Sequence, residues 1–208
     1  MVQVFIEAKR EDTPEGVFLR TLIQEFVPDS FPFVVNAVNG WSNLCEPANV
    51  MLMQTNSQEG GKNLVIFDAD SQENGGGHAL RLKTLKEKLA AYDLQAEIFL
   101  WPDNQSDGTV ESLMLDVARK DLHAEFFDCY GDYEACLRGV KDADGSLTYH
   151  CPDLKAKAFA YISSMKLSNN HRKHLGRGDW QFDNPDYWDL GSEKLEAIKA
   201  FLLEQLGK

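Results

Sequence analysis

Two aspartates, Asp68 and Asp70, stand directly after a strongly apolar segment, residues 64–67. A continuous apolar run with β-branched residues is typical of a strand that is covered on both faces of a parallel sheet. Carboxylates this close repel each other, and a hard cation such as Mg²⁺ or Mn²⁺ removes the repulsion through oxygen ligands. The spacing therefore predicts a metal site where the strand ends, although an isolated Asp-x-Asp is also common in turns.

Acidic residues follow other predicted strands as well. Glu7 ends the first strand, Glu11 comes four residues later, and Glu111 opens the helix after the fourth strand. Because ligands of open α/β sheets bind beyond the carboxyl ends of the strands, these acids are expected to lie near the aspartate pair. Two metal ions about 4 Å apart at such a site would suit in-line attack on a phosphodiester. Asp103 and Asp107 also follow the fourth strand, but their segment equally fits a plain turn.

Predicted strands and helices alternate along the first part of the chain. The apolar patterns predict strands at residues 2–7, 32–40, 64–70 and 96–102 and helices at residues 13–26, 42–54, 75–94 and 107–122. A continuous polar segment, residues 55–63, is predicted to be a turn. This order predicts an α/β fold with about four parallel strands and helices on both faces of the sheet.

The rest of the chain is predicted to be a helical extension packed on this core. Helices are predicted at residues 123–140, 154–166 and 192–206, the last one capped by Ser192, with a turn-rich segment at 142–153 and a loop at 169–189. This part holds too little strand for an independent α/β domain. The predicted organisation is an α/β core at residues 1–122 and a helical C-terminal extension at residues 123–208.

The composition is that of an acidic globular protein. Of the 208 residues, 43% are hydrophobic and 11% aromatic, and the net charge is -12. This charge argues against a general nucleic-acid or membrane-surface binder, because phosphates would be repelled at long range. A secretory or transit signal and an apolar run of transmembrane length are not apparent, so a cytoplasmic protein is expected. The four cysteines lack CxxC spacing, which disfavours a zinc cluster.

One segment reverses the sign of the charge. Residues 155–177 hold six basic and no acidic residues, among them Arg172, Lys173 and Arg177. Such segregation predicts a local phosphate-binding surface that contacts a nucleic-acid backbone without reading its bases. The alternative is a solvated helix face and loop that pair with the acidic body of the protein.

The order of these motifs resembles a known family. A Glu that ends the first strand, a Gly after the second, Asp-x-Asp after the third and Gly-x-x-Glu at the next helix resemble the TOPRIM domain. That domain is shared by topoisomerases, DnaG-type primases, small ribonucleases and overcoming-lysogenization-defect nucleases. The segments VFIEAKRED, VVNAVNGWSNL, LVIFDADSQ, IFLWPDNQSDGTVESLML and LKAKAFAYI resemble a compact bacterial group with a TOPRIM-like fold, known as domain of unknown function 3226.

The resemblance implies a TOPRIM-like (Rossmann-like) core that uses Mg²⁺ or Mn²⁺ to cleave phosphodiesters or transfer phosphoryl groups, with nucleic acid as the partner. The implied metal ligands are Glu7, Glu11, Asp68, Asp70 and Glu111. The implied catalytic residues are Glu7, Asp68 and Asp70, together with Lys155 or Lys157 as the lysine that steadies the charge of the transition state.

One position departs from the family pattern. Ala8 stands where TOPRIM domains usually have the glycine that lets a ligand approach the backbone closely. The alternative is therefore a non-catalytic module that binds metal with nucleic acid or a nucleotide. A third option is a phosphatase of the haloacid-dehalogenase type, in which the aspartate ends the first strand, whereas Asp68 ends the third. The oligomeric state is left open, a homo-oligomer included.

Overall fold

A four-stranded parallel sheet lies at the centre of the computed structural model, which describes residues 1–207 with the exception of the side chain of Asn74. Its strands are β1 (Val2–Ile6), β2 (Phe33–Ala37), β3 (Lys62–Asp68) and β4 (Glu97–Trp101), and they pair in the order β2-β1-β3-β4. In the register, Ile6 of β1 is level with Ala37 and Ile66, and Asp68 is level with Trp101. The predicted α/β class and the number of parallel strands are confirmed.

The described part of the chain contains eight α-helices. They are α1 (Pro14–Phe26), α2 (Pro47–Gln58), α3 (His78–Ala91), α4 (Val110–Asp116), α5 (Ala124–Gly139), α6 (Leu154–Ser164), α7 (Asn169–His174) and α8 (Glu196–Leu206). Short 3₁₀ helices cover Trp41–Cys45, Gln72–Asn74, Leu175–Arg177 and Glu193–Leu195. Among these residues, no helix is both long and apolar enough to cross a bilayer.

The two faces of the sheet bury two separate apolar clusters. Side chains of a strand alternate between faces, so Val4 and Ile66 point into one cluster while Phe5 and Val65 point into the other. The first cluster is completed by α1, α4, α6 and α8, and the second by α2 and α3. Both faces are therefore covered, which explains why the strands read as continuous apolar runs.

Several segments differ from their predicted form. The helix predicted at residues 107–122 covers only Val110–Asp116, and the helix predicted at residues 42–54 is divided into the 3₁₀ helix Trp41–Cys45 and α2.

Residues 55–63 are not all turn, because α2 continues to Gln58 and β3 already begins at Lys62. Their inward positions are taken by asparagines: the side-chain amide of Asn56 donates to the carbonyl of Lys62 (2.8 Å) and to Oδ1 of Asn63 (3.0 Å). These hydrogen bonds satisfy the buried amides, so no apolar pattern marks the segment.

The predicted loop at residues 169–189 contains a helix. The hydroxyl of Ser168 accepts from the N–H of His171 (3.3 Å) at the start of α7, which is a typical N-cap. No residue of α7 is buried, so the helix has no apolar periodicity by which it could be predicted.

Aromatic residues join the C-terminal part to the sheet. Phe182 packs on Phe18 of α1 with ring centroids 4.8 Å apart, and it also contacts Trp188 at 4.9 Å. Trp188 meets Tyr161 of α6 at 5.4 Å, and all four side chains are fully buried in the cluster that contains α1. The two predicted parts therefore share one hydrophobic core, and the boundary between residues 122 and 123 stays a prediction.

Candidate functional site

A cavity of about 280 Å³ opens at the carboxyl ends of the two central strands. Four acidic residues line it, Glu7, Glu15, Asp68 and Glu111, together with two basic residues, Lys9 and Lys155. Glu7 directly follows β1 and Asp68 ends β3, while Glu15 and Glu111 occupy the first turns of α1 and α4. Since β1 and β3 are parallel neighbours, the fold necessarily brings these chain segments to one edge of the sheet.

Glu7 is held by one of its two carboxylate oxygens. Oε1 accepts from the backbone N–H of Trp41 at 3.2 Å, whereas Oε2 is buried without a hydrogen-bond partner in the described part of the chain. Burial raises the pKa of Glu7, and the Trp41 N–H and the Arg81 guanidinium oppose this rise. One oxygen of Glu7 is thus oriented and the other has no partner.

Asp68 is partly buried against the start of α4. Its Oδ1 accepts from the backbone N–H of Val110 at 2.7 Å. Burial raises the pKa of Asp68 well above its ordinary value, and the nearby carboxylates of Glu15 and Glu111 raise it further. An ionised Asp68 would therefore be stabilised by any cation that entered the cavity.

Glu15 is the residue of this cluster that the sequence analysis missed. Burial and the neighbouring carboxylates of Glu7 and Glu111 raise its pKa to about 8. Its Oε1 has no hydrogen-bond partner among residues 1–207. In the sequence it reads as an ordinary acid in the first turn of a helix, where the helix dipole favours negative charge. Its position at the start of the helix that follows β1 is the signal that could have placed it beside Glu7.

Asp70 is not among the residues that line the cavity. Its carboxylate pairs with the guanidinium of Arg81, whose side chain is only 6% exposed. Its backbone is fixed as well, because its N–H donates to the carbonyl of Gly108 (2.8 Å) and its carbonyl accepts from the Gly108 N–H (2.9 Å). Asp68 thus lines the cavity with Glu7, whereas Asp70 lies outside the lining but close enough that its charge contributes to the raised pKa of Glu7.

Two other predicted residues lie away from the cavity. Glu11 is exposed, and its carboxylate pairs with Arg20 at 2.8 Å. The Nζ of Lys157 pairs with the carboxylate of Glu134 on α5 at 3.1 Å. Of the two candidate lysines, only Lys155 lines the cavity.

The basic segment passes close to one wall of the cavity. Lys173 and Arg177 are exposed, whereas the guanidinium of Arg172 donates to the carbonyls of Ser163 (3.2 Å) and Met165 (2.9 Å). Gly178, which directly follows this segment, abuts the backbone of residues 13 and 14, and these two residues line the cavity. The predicted phosphate contacts of Lys173 and Arg177 stay a prediction.

Replacing Gly178 with alanine is expected to cost about 2–4 kcal/mol of stability, from left-handed backbone strain and overpacking. Gly178 has a φ of +77°, and an added Cβ would lie 2.7 Å from the carbonyl carbon of Thr13. Gly176 is the matched control, because a Cβ there meets nothing within 4 Å. Urea unfolding of both variants measures the difference, and equal stability of the two would contradict the close approach.

The donor chemistry of the cavity fits a hard divalent cation. The donors are carboxylate oxygens, of which Glu7 Oε2 and Glu15 Oε1 are buried and unpartnered among residues 1–207. In that same range, no three acidic, histidine or cysteine side chains already stand together as a group that could hold a metal ion. Mg²⁺ commonly takes only one or two protein carboxylates and completes its shell with water and phosphate oxygens. The residues present therefore suit such an ion without forming a closed cage.

Comparison with protein-family models, with curated proteins and with solved structures found no match.

Proposed function

We propose that this cavity is a Mg²⁺- or Mn²⁺-dependent phosphoryl-transfer site of the TOPRIM type that cleaves phosphodiester bonds in nucleic acid. The observation that supports this proposal is the convergence of Glu7, Glu15, Asp68 and Glu111 on one cavity with two of their buried oxygens unpartnered. Gathering buried like charges costs stability unless a cation or a proton neutralises them. An arrangement of this kind is typical of a functional site.

The role of each carboxylate would depend on the hydrogen bonds that hold it. Glu7 and Asp68 each have one oxygen fixed by a backbone N–H, so their other oxygens are oriented for a ligand. Glu15 and Glu111 stand on helix ends opposite them and would complete the negative lining. A bound Mg²⁺ would supply Lewis-acid polarisation of the phosphate and a more acidic water.

Lys155, one of the two lysines that line the cavity, would meet the substrate phosphate. It lies on α6, its side chain is exposed at the cavity, and its charge lowers the pKa of Glu15. An ammonium group there would stabilise the negative charge that grows on the phosphate oxygens. Lys173 and Arg177, beyond the wall at residues 13–14, would hold the adjoining backbone phosphates.

A second candidate is a non-catalytic module that binds metal together with nucleic acid or a nucleotide. The observation that favours it is Ala8, whose methyl group lines the cavity where the family usually has glycine. A side chain at this position reduces the space in which substrate could approach the backbone.

Cleavage assays separate these two candidates. Purified protein is incubated with plasmid, single-stranded DNA and RNA, with Mg²⁺, Mn²⁺ or a chelator. Metal-dependent cleavage that Asp68→Asn lowers by at least about 100-fold is expected, because the variant loses an ionised ligand. The matched control is Asp103→Asn, an acid after β4 whose carboxylate binds the N–H groups of residues 105 and 106 and does not line the cavity.

The outcomes are distinct. Metal-dependent binding of nucleic acid or nucleotide without cleavage would favour the binding module. Cleavage that the Asp68 and Asp103 variants retain equally would come from a contaminant or from another part of the protein, and it would remove the proposed site.

A further inference from the structure

Arg81 is the most deeply buried charged side chain near the cavity, and the proposed function does not use it. It lies in the first turn of α3 and is 6% exposed. One of its terminal nitrogens pairs with Asp70, and its Nε is buried without a partner in the described part of the chain. Burying a charge costs free energy unless the charge is paired and its other hydrogen-bonding groups are satisfied. The burial of Arg81 with its Nε unsatisfied therefore calls for an explanation.

The guanidinium of Arg81 lies on the ring of Trp41. Its Cζ is 4.3 Å from the ring centroid, a distance at which a cation is attracted to the face of an indole. Lys88, two turns later on α3, places its Nζ 5.0 Å from the same ring and donates to the carbonyl of Ser42 at 2.9 Å. Two cations of α3 therefore hold the 3₁₀ helix Trp41–Cys45 in place.

That 3₁₀ helix in turn orients a carboxylate of the cavity. The backbone N–H of Trp41 is the donor that fixes Oε1 of Glu7, and this leaves Oε2 without a partner. The backbone of Asp70 is fixed from the other side by its two hydrogen bonds to Gly108. The contacts form a continuous chain from Asp70 through Arg81 and Trp41 to Glu7.

We propose that Arg81 is a positioning residue for the carboxylate site, and that Asp70 serves this site by anchoring Arg81 rather than as a metal ligand. Arg81 acts through Trp41, whose N–H sets the orientation of Glu7, in addition to the direct effect of its charge on Glu7. The inference on metal binding rests on the proposed function, whereas the inference on the orientation of Glu7 does not. The proposal gives the two acids of the Asp-x-Asp motif different roles: Asp68 is a carboxylate of the cavity, and Asp70 anchors Arg81.

The test compares Arg81→Met/Asp70→Asn, which removes both charges together, with Arg81→Lys, which keeps a cation. Removing both partners avoids leaving one charge buried and unpaired. The first readout is the backbone amide proton of Trp41, observed in protein labelled with ¹⁵N-tryptophan and identified with Trp41→Phe. The second readout is Mn²⁺ affinity from titration calorimetry.

In the double variant, the Trp41 amide proton is expected to move upfield because its hydrogen bond to a carboxylate weakens. Mn²⁺ affinity should fall about 10- to 100-fold, the usual effect of removing a group that orients a ligand. Arg81→Lys is expected to keep the Trp41 amide at its wild-type position. A folded double variant with unchanged amide position and unchanged affinity would overturn the proposal.

Failure of the proposed function gives a different result. If the wild-type protein binds no Mn²⁺, the metal site is wrong, and the position of the Trp41 amide still decides whether Arg81 orients Glu7. If the wild-type protein binds Mn²⁺ and Asp70→Asn alone weakens binding as much as Asp68→Asn does, Asp70 is a ligand and the assignment made here is wrong.

Discussion

Replacing Glu15 with glutamine is expected to stabilise the protein above neutral pH and to change its stability little near pH 5. The pKa of Glu15 is about 8 in the folded protein, against an ordinary value of 4.5. Between these values the folded state holds a proton that the unfolded state has lost, so the free energy of unfolding falls as pH rises. At 1.36 kcal/mol per pKa unit, the loss is at most about 5 kcal/mol. Glutamine cannot ionise, so the variant lacks the part of the fall in unfolding free energy that Glu15 causes.

The measurement is urea unfolding of wild type and Glu15→Gln from pH 5 to pH 8.5 in the presence of a chelator. The control is Glu125→Gln, because Glu125 also stands in the first turn of a helix but is exposed. Glu7 and Asp68 also have raised pKa values, so they too lower the free energy of unfolding as pH rises. Glu15→Gln should therefore reduce the dependence of stability on pH without abolishing it. If wild type and Glu15→Gln lose stability equally as pH rises, Glu15 is not buried among carboxylates.

The second large effect expected is stabilisation of the protein by divalent cations. At pH 7.5, free Mn²⁺ at 100 times its dissociation constant should raise the free energy of unfolding by about 2.7 kcal/mol, because the ion binds the folded state alone. The same ion should remove the repulsion between Asp68 and its neighbours Glu15 and Glu111, which raises the pKa of Asp68. Asp68→Asn should therefore lose most of the stabilisation by Mn²⁺.

Thermal unfolding with increasing Mn²⁺, compared with a chelator, checks this prediction. Without metal, Asp68→Asn should be at least as stable as wild type at pH 7.5, since it removes a buried charge. Asp103→Asn should respond to Mn²⁺ as wild type does, because Asp103 lies outside the cavity. A melting temperature that does not depend on Mn²⁺ would contradict the binding of a divalent cation by the carboxylate cluster.

The sheet could be predicted from the sequence because each strand is an uninterrupted apolar run between polar segments. Residues 64–67, for example, are completely buried, so their hydrophobicity alone marks them. Positions where burial is polar could not be predicted in this way. Asn56 and Asn63 are buried through hydrogen bonds to each other and to the backbone, and their polarity was typical of a turn.

The candidate site could be predicted only as far as strand ends determine it. Glu7 and Asp68 meet because parallel strands end at one edge. Whether an acid on the following helix joins them depends on the length of the connection and the rotation of the helix: Glu15 joins, whereas Glu11 turns to solvent and pairs with Arg20. Arg81 gave no signal either, because one arginine in a helix rich in lysine looks like an exposed residue.

The contacts of the C-terminal part determine at which stage of folding the four acidic residues come together in the cavity. The helix that carries Glu15 packs on Phe182 and α8, and the N–H of Phe31 donates to the carbonyl of Leu206 at 2.9 Å. Contacts between residues so distant in sequence form slowly, because long loops must close first. During synthesis on a ribosome, Glu7, Glu15, Asp68 and Glu111 would all emerge well before the residues that hold their helices in place. We therefore expect the carboxylates to stay hydrated and apart in the nascent chain, so that cavity and core are completed in the same late step.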